Sequence, residues 1–211
     1  MPMVKLFFDI ETLPSADEHK EVHLEILRKK NKGKTDEEIH LSTSFEGTFG
    51  RICSIAIIKE GPQGIIQQET FSGDEKEILD KFWEAGKGVD RFVGHNIWAF
   101  DLPFIYKRSI INDVKPLKLN LARYRDLPIY DTMLQWELWN MQKAQKLDTL
   151  AKIFNLPTSK DEMDGSMVYD YFLAGRIEDI NRYCMKDVEL TRKVYYKMAY
   201  DDVAIDETIN F

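Results

Sequence analysis

The chain has 211 residues, of which 44% are hydrophobic, 31% charged and 12% aromatic, the composition of a globular domain able to bury a complete core. A net charge of −7 and a pI near 5.2 argue against a protein that grips long duplexes by phosphate neutralisation alone, but they leave room for one whose positive charge comes from bound metal ions. The two cysteines, Cys53 and Cys184, show no metal-ligand spacing, no apolar run reaches membrane-spanning length, and the N-terminus enters a strand directly; the expectation is buried thiols, no membrane and a cytoplasmic location.

The first element, Lys5-Leu-Phe-Phe-Asp-Ile-Glu-Thr12, has strand character, and alternation puts Asp9 and Glu11 on one side with Ile10 opposite. Two carboxylates at a strand end repel each other, so they read either as solvated acids on a surface strand or, if further carboxylates join them, as a pair that needs a cation. Leu13-Pro14-Ser15 ends the strand. Residues 16–32 then read as a charged helix with Val22, Ile26 and Leu27 on one stripe. Thr35-Asp36-Glu37-Glu38 has capping-box spacing and opens a second helix, which makes a helical insertion of about residues 14–50. Between the two helices lies the one dense basic run, residues 28–34, read as a solvated helix end or as a phosphate contact. His19 and His23, one turn apart with no third ligand nearby, read as exposed polar residues.

Residues 51–58 form a buried strand, Gly61-Pro62 a turn, and residues 65–71 the strand completing a hairpin. A helix over 74–85 follows, then a short strand over 91–94. Phe100-Asp101-Leu102-Pro103 opens another helix, with Asp101 at or near its N-cap. A strand over 127–131, helices over 132–139 and 147–154, a polar loop over 158–165, a helix ending at 173, a long helix over 177–199 and an acidic tail over 201–211 complete the chain. This order predicts a single α/β domain, residues 1–211, with an antiparallel meander first and crossover helices afterwards.

Acidic residues therefore arise in three places. Taken alone, Asp101 is explained as a helix cap, and Tyr183-x-x-x-Asp187 as one face of an amphipathic helix. Taken together, Phe8-Asp9-Ile10-Glu11-Thr12, Asn96-x-x-x-Phe100-Asp101 and Tyr183-x-x-x-Asp187 resemble the three ordered motifs of the DEDD superfamily of 3′-5′ exonucleases. The tyrosine four residues before the last aspartate points to the DEDDy subgroup, and the pattern is similar to the proofreading exonuclease domain of family B DNA polymerases. Tyr130-Asp131-Thr132-Met133 and Leu147-Asp-Thr-Leu-Ala151 resemble that family's linking segments.

The resemblance implies a ribonuclease H-like fold, a mixed five-stranded sheet with helices on both faces. It also implies catalysis by two divalent ions, magnesium or manganese. Asp9 would bridge both ions, Glu11 and Asp187 would complete the nucleophile-generating site, Asp101 would serve the second ion, and Tyr183 would aim the attacking water. Leu13, Asn96, Trp98 and Lys160 are the substrate-facing candidates; the bland readings are core for Leu13 and, equally with base stacking, for Trp98, a turn for Asn96 and an exposed lysine for Lys160. The expected substrate is a single-stranded 3′ end, DNA ahead of RNA, with nucleoside monophosphates released. Trimming of RNA and a non-catalytic nucleic-acid-binding module are the alternatives. The expectation is that the chain has no length left for a polymerase domain, so that proofreading would need a protein partner, with repair or end-trimming equally open.

Overall fold

The computed structural model describes residues 3–158 and 163–200; the tail over 201–211 and Lys160 lie outside the described residues. Five strands form one sheet in the order β3-β2-β1-β4-β5, where β1 is Lys5–Leu13, β2 Arg51–Gly61, β3 Gly64–Ser72, β4 Arg91–Gly94 and β5 Ile129–Asp131. The first three strands are antiparallel neighbours, while β4 runs parallel to β1 and β5 parallel to β4. This is the mixed sheet expected from an opening meander followed by crossover helices.

Alternation along β1 sorts its side chains between two cores. Leu6, Phe8 and Ile10 join Ile55 and Ile57 of β2 against Ile78, Leu79 and Phe82 of α3 (Glu75–Ala85) and Leu102, Phe104 and Ile105 of α4 (Asp101–Ile111) once the insertion helices α1 (Asp17–Arg28) and α2 (Asp36–Ser42) have been passed. On the opposite face, Phe7, Ala56, Ile58 and Val93 pack on Cys184, Val188 and Tyr195 of α8 (Ile177–Ala199). The remaining helices are α5 (Thr132–Trp136), α6 (Leu147–Ile153) and α7 (Val168–Leu173). Helices thus cover both faces. Among the described residues, no helix is long and apolar enough to cross a membrane.

The insertion forms as its caps dictate. Thr35 accepts a hydrogen bond from the Glu38 amide while the Glu38 carboxylate accepts one from the Thr35 amide, the reciprocal capping box. The apolar stripe of α1 is different from the expected one: Val22 and Ile26 are 60% and 50% exposed, and Leu24 with Leu27 packs on Ile39 and Phe49. Which face a mostly charged helix hides is decided by α2 and Phe49, and neither is visible in the helix's own periodicity. His19 is exposed as expected, whereas His23 sits edge-on to Phe49. Arg28 of the basic run is engaged by Asp36 and Glu21. Helix α5 stops at Trp136 because Leu138 and Trp139 adopt left-handed backbone conformations.

Candidate active site

The short parallel strands β4 and β5 end beside the first half of β1, and just beyond that point β1 carries Asp9 and Glu11. Asp9 and Glu11 project from the face of β1 covered by α8; the strand continues to Leu13, so Asp9 stands at its middle and not at the strand end the sequence suggested. One ligand atom each from Asp9, Glu11 and Cys184 lie within 4.8 Å of one another. The Cys184 thiol donates to the Asp9 carbonyl at 3.4 Å and approaches Asp9 Oδ2 at 3.7 Å. Burial, then the charges of Asp9 and Glu11, push that thiol up, so it holds its proton and acts as a donor. The sequence marked Cys184 as a buried thiol; only the packing of α8 on β1 shows that it supports Asp9.

Asp101 comes from α4, whose Leu102, Phe104 and Ile105 pack on the opposite face of the sheet. It is the first residue of α4; the N-cap is Phe100, with no side-chain cap bond, so the capping role that explained Asp101 in isolation is not the one it fills. Its carboxyl is 3% exposed and takes amide hydrogen bonds from its own residue and from Ile10 of β1. Its Oδ1 is buried with no hydrogen-bond partner. Burial, with a contribution from Asp131, pushes this carboxyl up to about 8.

The four carboxylates act on each other electrostatically. Burial raises Asp9 well above the ordinary range, and Asp101, Glu11 and Asp187 raise it further. Burial raises Glu11 as well, followed by Asp187 and Asp101. Tyr183, one turn before Asp187 on α8, is likewise pushed up by burial, then by Asp187, Glu11 and Asp9, and it hydrogen-bonds Asp187. A cluster of this kind is unfavourable when fully ionised. The paired carboxylates of Asp9 and Glu11, together with a buried Asp101 oxygen that has no partner, supply hard oxygen donors that fit a divalent cation such as magnesium or manganese.

Asp131 is a residue to which sequence reasoning gave no role, although its segment had been noted. Its carboxylate accepts from the amides of Met133 and Leu134, capping α5, and also from the amides of Asn96 and Trp98 at 2.9 Å. One buried side chain therefore fixes the turn that delivers Asp101. Asn96 occupies the left-handed conformation in that turn, at φ 66°, which asparagine tolerates well. Gly94 precedes it, and a Cβ there would meet Ile97 Cγ2 at 2.1 Å and the Phe8 carbonyl oxygen at 3.0 Å. His95 completes the brace through Thr132 Oγ1 and the Gln145 carbonyl, both at 2.9 Å; burial lowers its pKa to about 4, so the ring is neutral.

Of the substrate-facing candidates, Leu13 is corrected by the structure. It is 1% exposed and packs with Cys53, Ile180 and Tyr183, because it shares the inward face of β1 with Asp9 and Glu11; it offers no surface to a strand. Trp98 belongs to a group that the sequence did not reveal. The Arg123 guanidinium lies 4.7 Å from its ring centroid, Trp139 meets it edge-on at 6.1 Å, and Tyr124 packs on Trp139 at 5.2 Å. Tyr124 is 74% exposed, and the Trp98 indole nitrogen has no partner among the described residues. Nothing in local periodicity could pair residues 98, 123, 124 and 139, since β5 and α5 bring them together.

A family profile described as "Predicted 3'-5' exonuclease related to the exonuclease domain of PolB" matches residues 43–209. The family B DNA polymerase from the hyperthermophilic archaeon Pyrobaculum calidifontis has a similar structure, with a TM-score of 0.66 and 19% identity over 94% of this chain and 25% of that one. The chain thus spans about a quarter of the polymerase's length, and the likeness supports the ribonuclease H-like fold alone. No curated protein matches in sequence. The matched span contains Asp101, Tyr183 and Asp187, while Asp9 and Glu11 lie ahead of it on β1, whose sheet neighbours β2 and β4 fall inside it. The chain belongs to the family of predicted 3′-5′ exonucleases related to the PolB exonuclease domain.

Proposed function

We propose that this single domain is a metal-dependent exonuclease that shortens single-stranded DNA from its 3′ end and releases nucleoside monophosphates. The observation that supports the reading is the pairing of Asp9 with Glu11 on β1 where Asp101 and Asp187 both push the Asp9 carboxyl up, as Asp187, Glu11 and Asp9 push up Tyr183. Those four carboxylates would hold two divalent ions, magnesium or manganese. When bound, such ions lower the pKa of water and neutralise charge on the departing oxygen of an in-line displacement at phosphorus.

The chain's own groups do the positioning. Tyr183 keeps its phenolic proton, since burial and the neighbouring carboxylates disfavour phenolate; it serves as a hydrogen-bonding guide for the attacking water and not as a base. Cys184 orients Asp9 from behind, and Asp131 holds the turn that delivers Asp101. The Trp98, Arg123, Tyr124 and Trp139 group offers π-faces to unpaired bases, at about 1–3 kcal/mol per stacked base. This suits a chain whose net charge is −7, for which stacking supplies affinity that does not depend on phosphate neutralisation. A duplex keeps its base faces hidden, so the group favours a single-stranded end.

The test is to incubate 5′-labelled single-stranded DNA and RNA with the protein and magnesium or manganese, beside an Asp9→Ala variant. Stepwise shortening of DNA from the 3′ end, absent in the variant, is the expected result. Shortening of RNA alone would overturn the DNA assignment, and binding without shortening of either would favour a non-catalytic module.

A further inference from the structure

Tyr183 is also one wall of a second feature. The stripe Asp179, Arg182, Tyr183 and Lys186 follows i, i+3, i+4, i+7 spacing along α8, and with Tyr171 of α7 and Arg176 it lines a shallow, open cleft of about 40 Å³. Asp179 organises two of its three cations. Its Oδ2 accepts from Arg176 Nε at 2.5 Å, and its Oδ1 accepts from the Arg182 guanidinium. The Tyr171 ring holds Arg176 from a second direction, with its guanidinium 4.2 Å from the ring centroid. Lys186, one turn beyond Arg182, makes no ion pair among the described residues. Three cations against one carboxylate leave the cleft positive in a chain whose net charge is −7.

An anionic strand that brings a phosphate to four carboxylates meets repulsion unless charge of the opposite sign stands close by. The cleft supplies that charge next to Tyr183. Guanidinium groups pre-ordered by a carboxylate and an aromatic face lose little freedom on engaging phosphate oxygens in paired hydrogen bonds.

We infer that the Arg176, Arg182 and Lys186 cleft is a phosphate subsite, engaging either a backbone phosphate of the strand next to the cleaved bond or the phosphate of the released nucleoside monophosphate. The inference rests on the exonuclease reading of the adjacent carboxylates.

The test uses the full chain in the Asp9→Ala background, so that the strand stays intact, with and without Arg182→Gln/Lys186→Gln. An equal charge change at Lys76→Gln/Lys81→Gln on α3 is the control. Binding of a fluorescent single-stranded DNA is titrated at several salt concentrations. Removing two phosphate contacts should flatten the log–log salt slope by about 1.4 and weaken binding by roughly 10-fold, whereas the control should stay near the parent. In a second arm, deoxyadenosine monophosphate is titrated against tryptophan fluorescence. Loss of its binding in the double variant, with the DNA slope unchanged, assigns the cleft to the released nucleotide. If DNA and mononucleotide both bind the double variant as they bind the control, the subsite is refuted, while cleavage by the wild type leaves the exonuclease reading standing. If the wild type neither binds nor cleaves DNA, that reading falls, and the mononucleotide arm alone decides the cleft: binding lost in the double variant supports it, and no binding by the parent overturns it.

Discussion

Replacing Asp101 by asparagine should make the metal-free protein more stable, although it removes a residue of the candidate active site. The folded carboxyl is pushed up to about 8 from an ordinary value of 3.8, so between these limits the folded chain binds a proton that the unfolded chain has released. Stability contributed by this group is therefore complete below about pH 4 and declines as the pH rises toward 8. By pH 7 roughly three decades of proton affinity have been traversed, at about 1.4 kcal/mol each, which gives an upper limit of about 4 kcal/mol. The asparagine retains the shape, and its oxygen can accept from the Ile10 amide, but its carboxamide must still be desolvated. A gain of about 1–2 kcal/mol is the expected remainder, or roughly 2–8 °C in Tm for a chain of this size. Thermal unfolding in EDTA at pH 5.5 and pH 8, for both proteins, measures it: the variant should lead at pH 8 and the lead should shrink at pH 5.5. Manganese should raise the Tm of the wild type more than that of Asp101→Asn, since the ion relieves repulsion that the variant has already lost. A variant that is no more stable than the wild type at pH 8, or whose advantage does not depend on pH, would show that Asp101 is not part of a charge-crowded cluster.

Tyr183→Phe should slow strand shortening by about 10-fold to 1000-fold while the manganese-induced rise in Tm is kept, because the phenol aims a reactant and is no metal ligand; equal turnover would remove the tyrosine from the mechanism. Gly94→Ala should cost about 1–3 kcal/mol in urea unfolding, since the new methyl must displace the buried Ile97 side chain or the Phe8 carbonyl, and activity should fall with the turn that carries Asp101. A variant of unchanged stability would mean that the β4 turn gives way more easily than its packing implies. Trp139→Ala should weaken binding of single-stranded DNA by about 1–3 kcal/mol without changing the salt slope, as expected for a stacking contact; a flatter slope would point to a phosphate contact instead.

Several parts of this protein could be read from local pattern because their physics is local. Period-two alternation places Asp9 and Glu11 together on β1, reciprocal hydrogen bonding specifies the Thr35 to Glu38 cap, and helical spacing joins Tyr183 to Asp187. Asp101 was a cap by its position in the sequence and became a buried, partly unpartnered carboxylate once α4 was packed on the sheet face. Leu13 passed from candidate contact to core for the same reason: burial depends on what packs against a strand, and Ile180 and Tyr183 come from the far end of the chain. Val22 and Ile26 were misplaced because the hidden face of α1 is chosen by α2 and Phe49. Sequence alone determined which residue types share a face and in what order the acids occur. Tertiary structure decided which of those faces meet, because the strand register and helix docking that bring distant side chains within reach of one cation depend on contacts between segments remote in the chain.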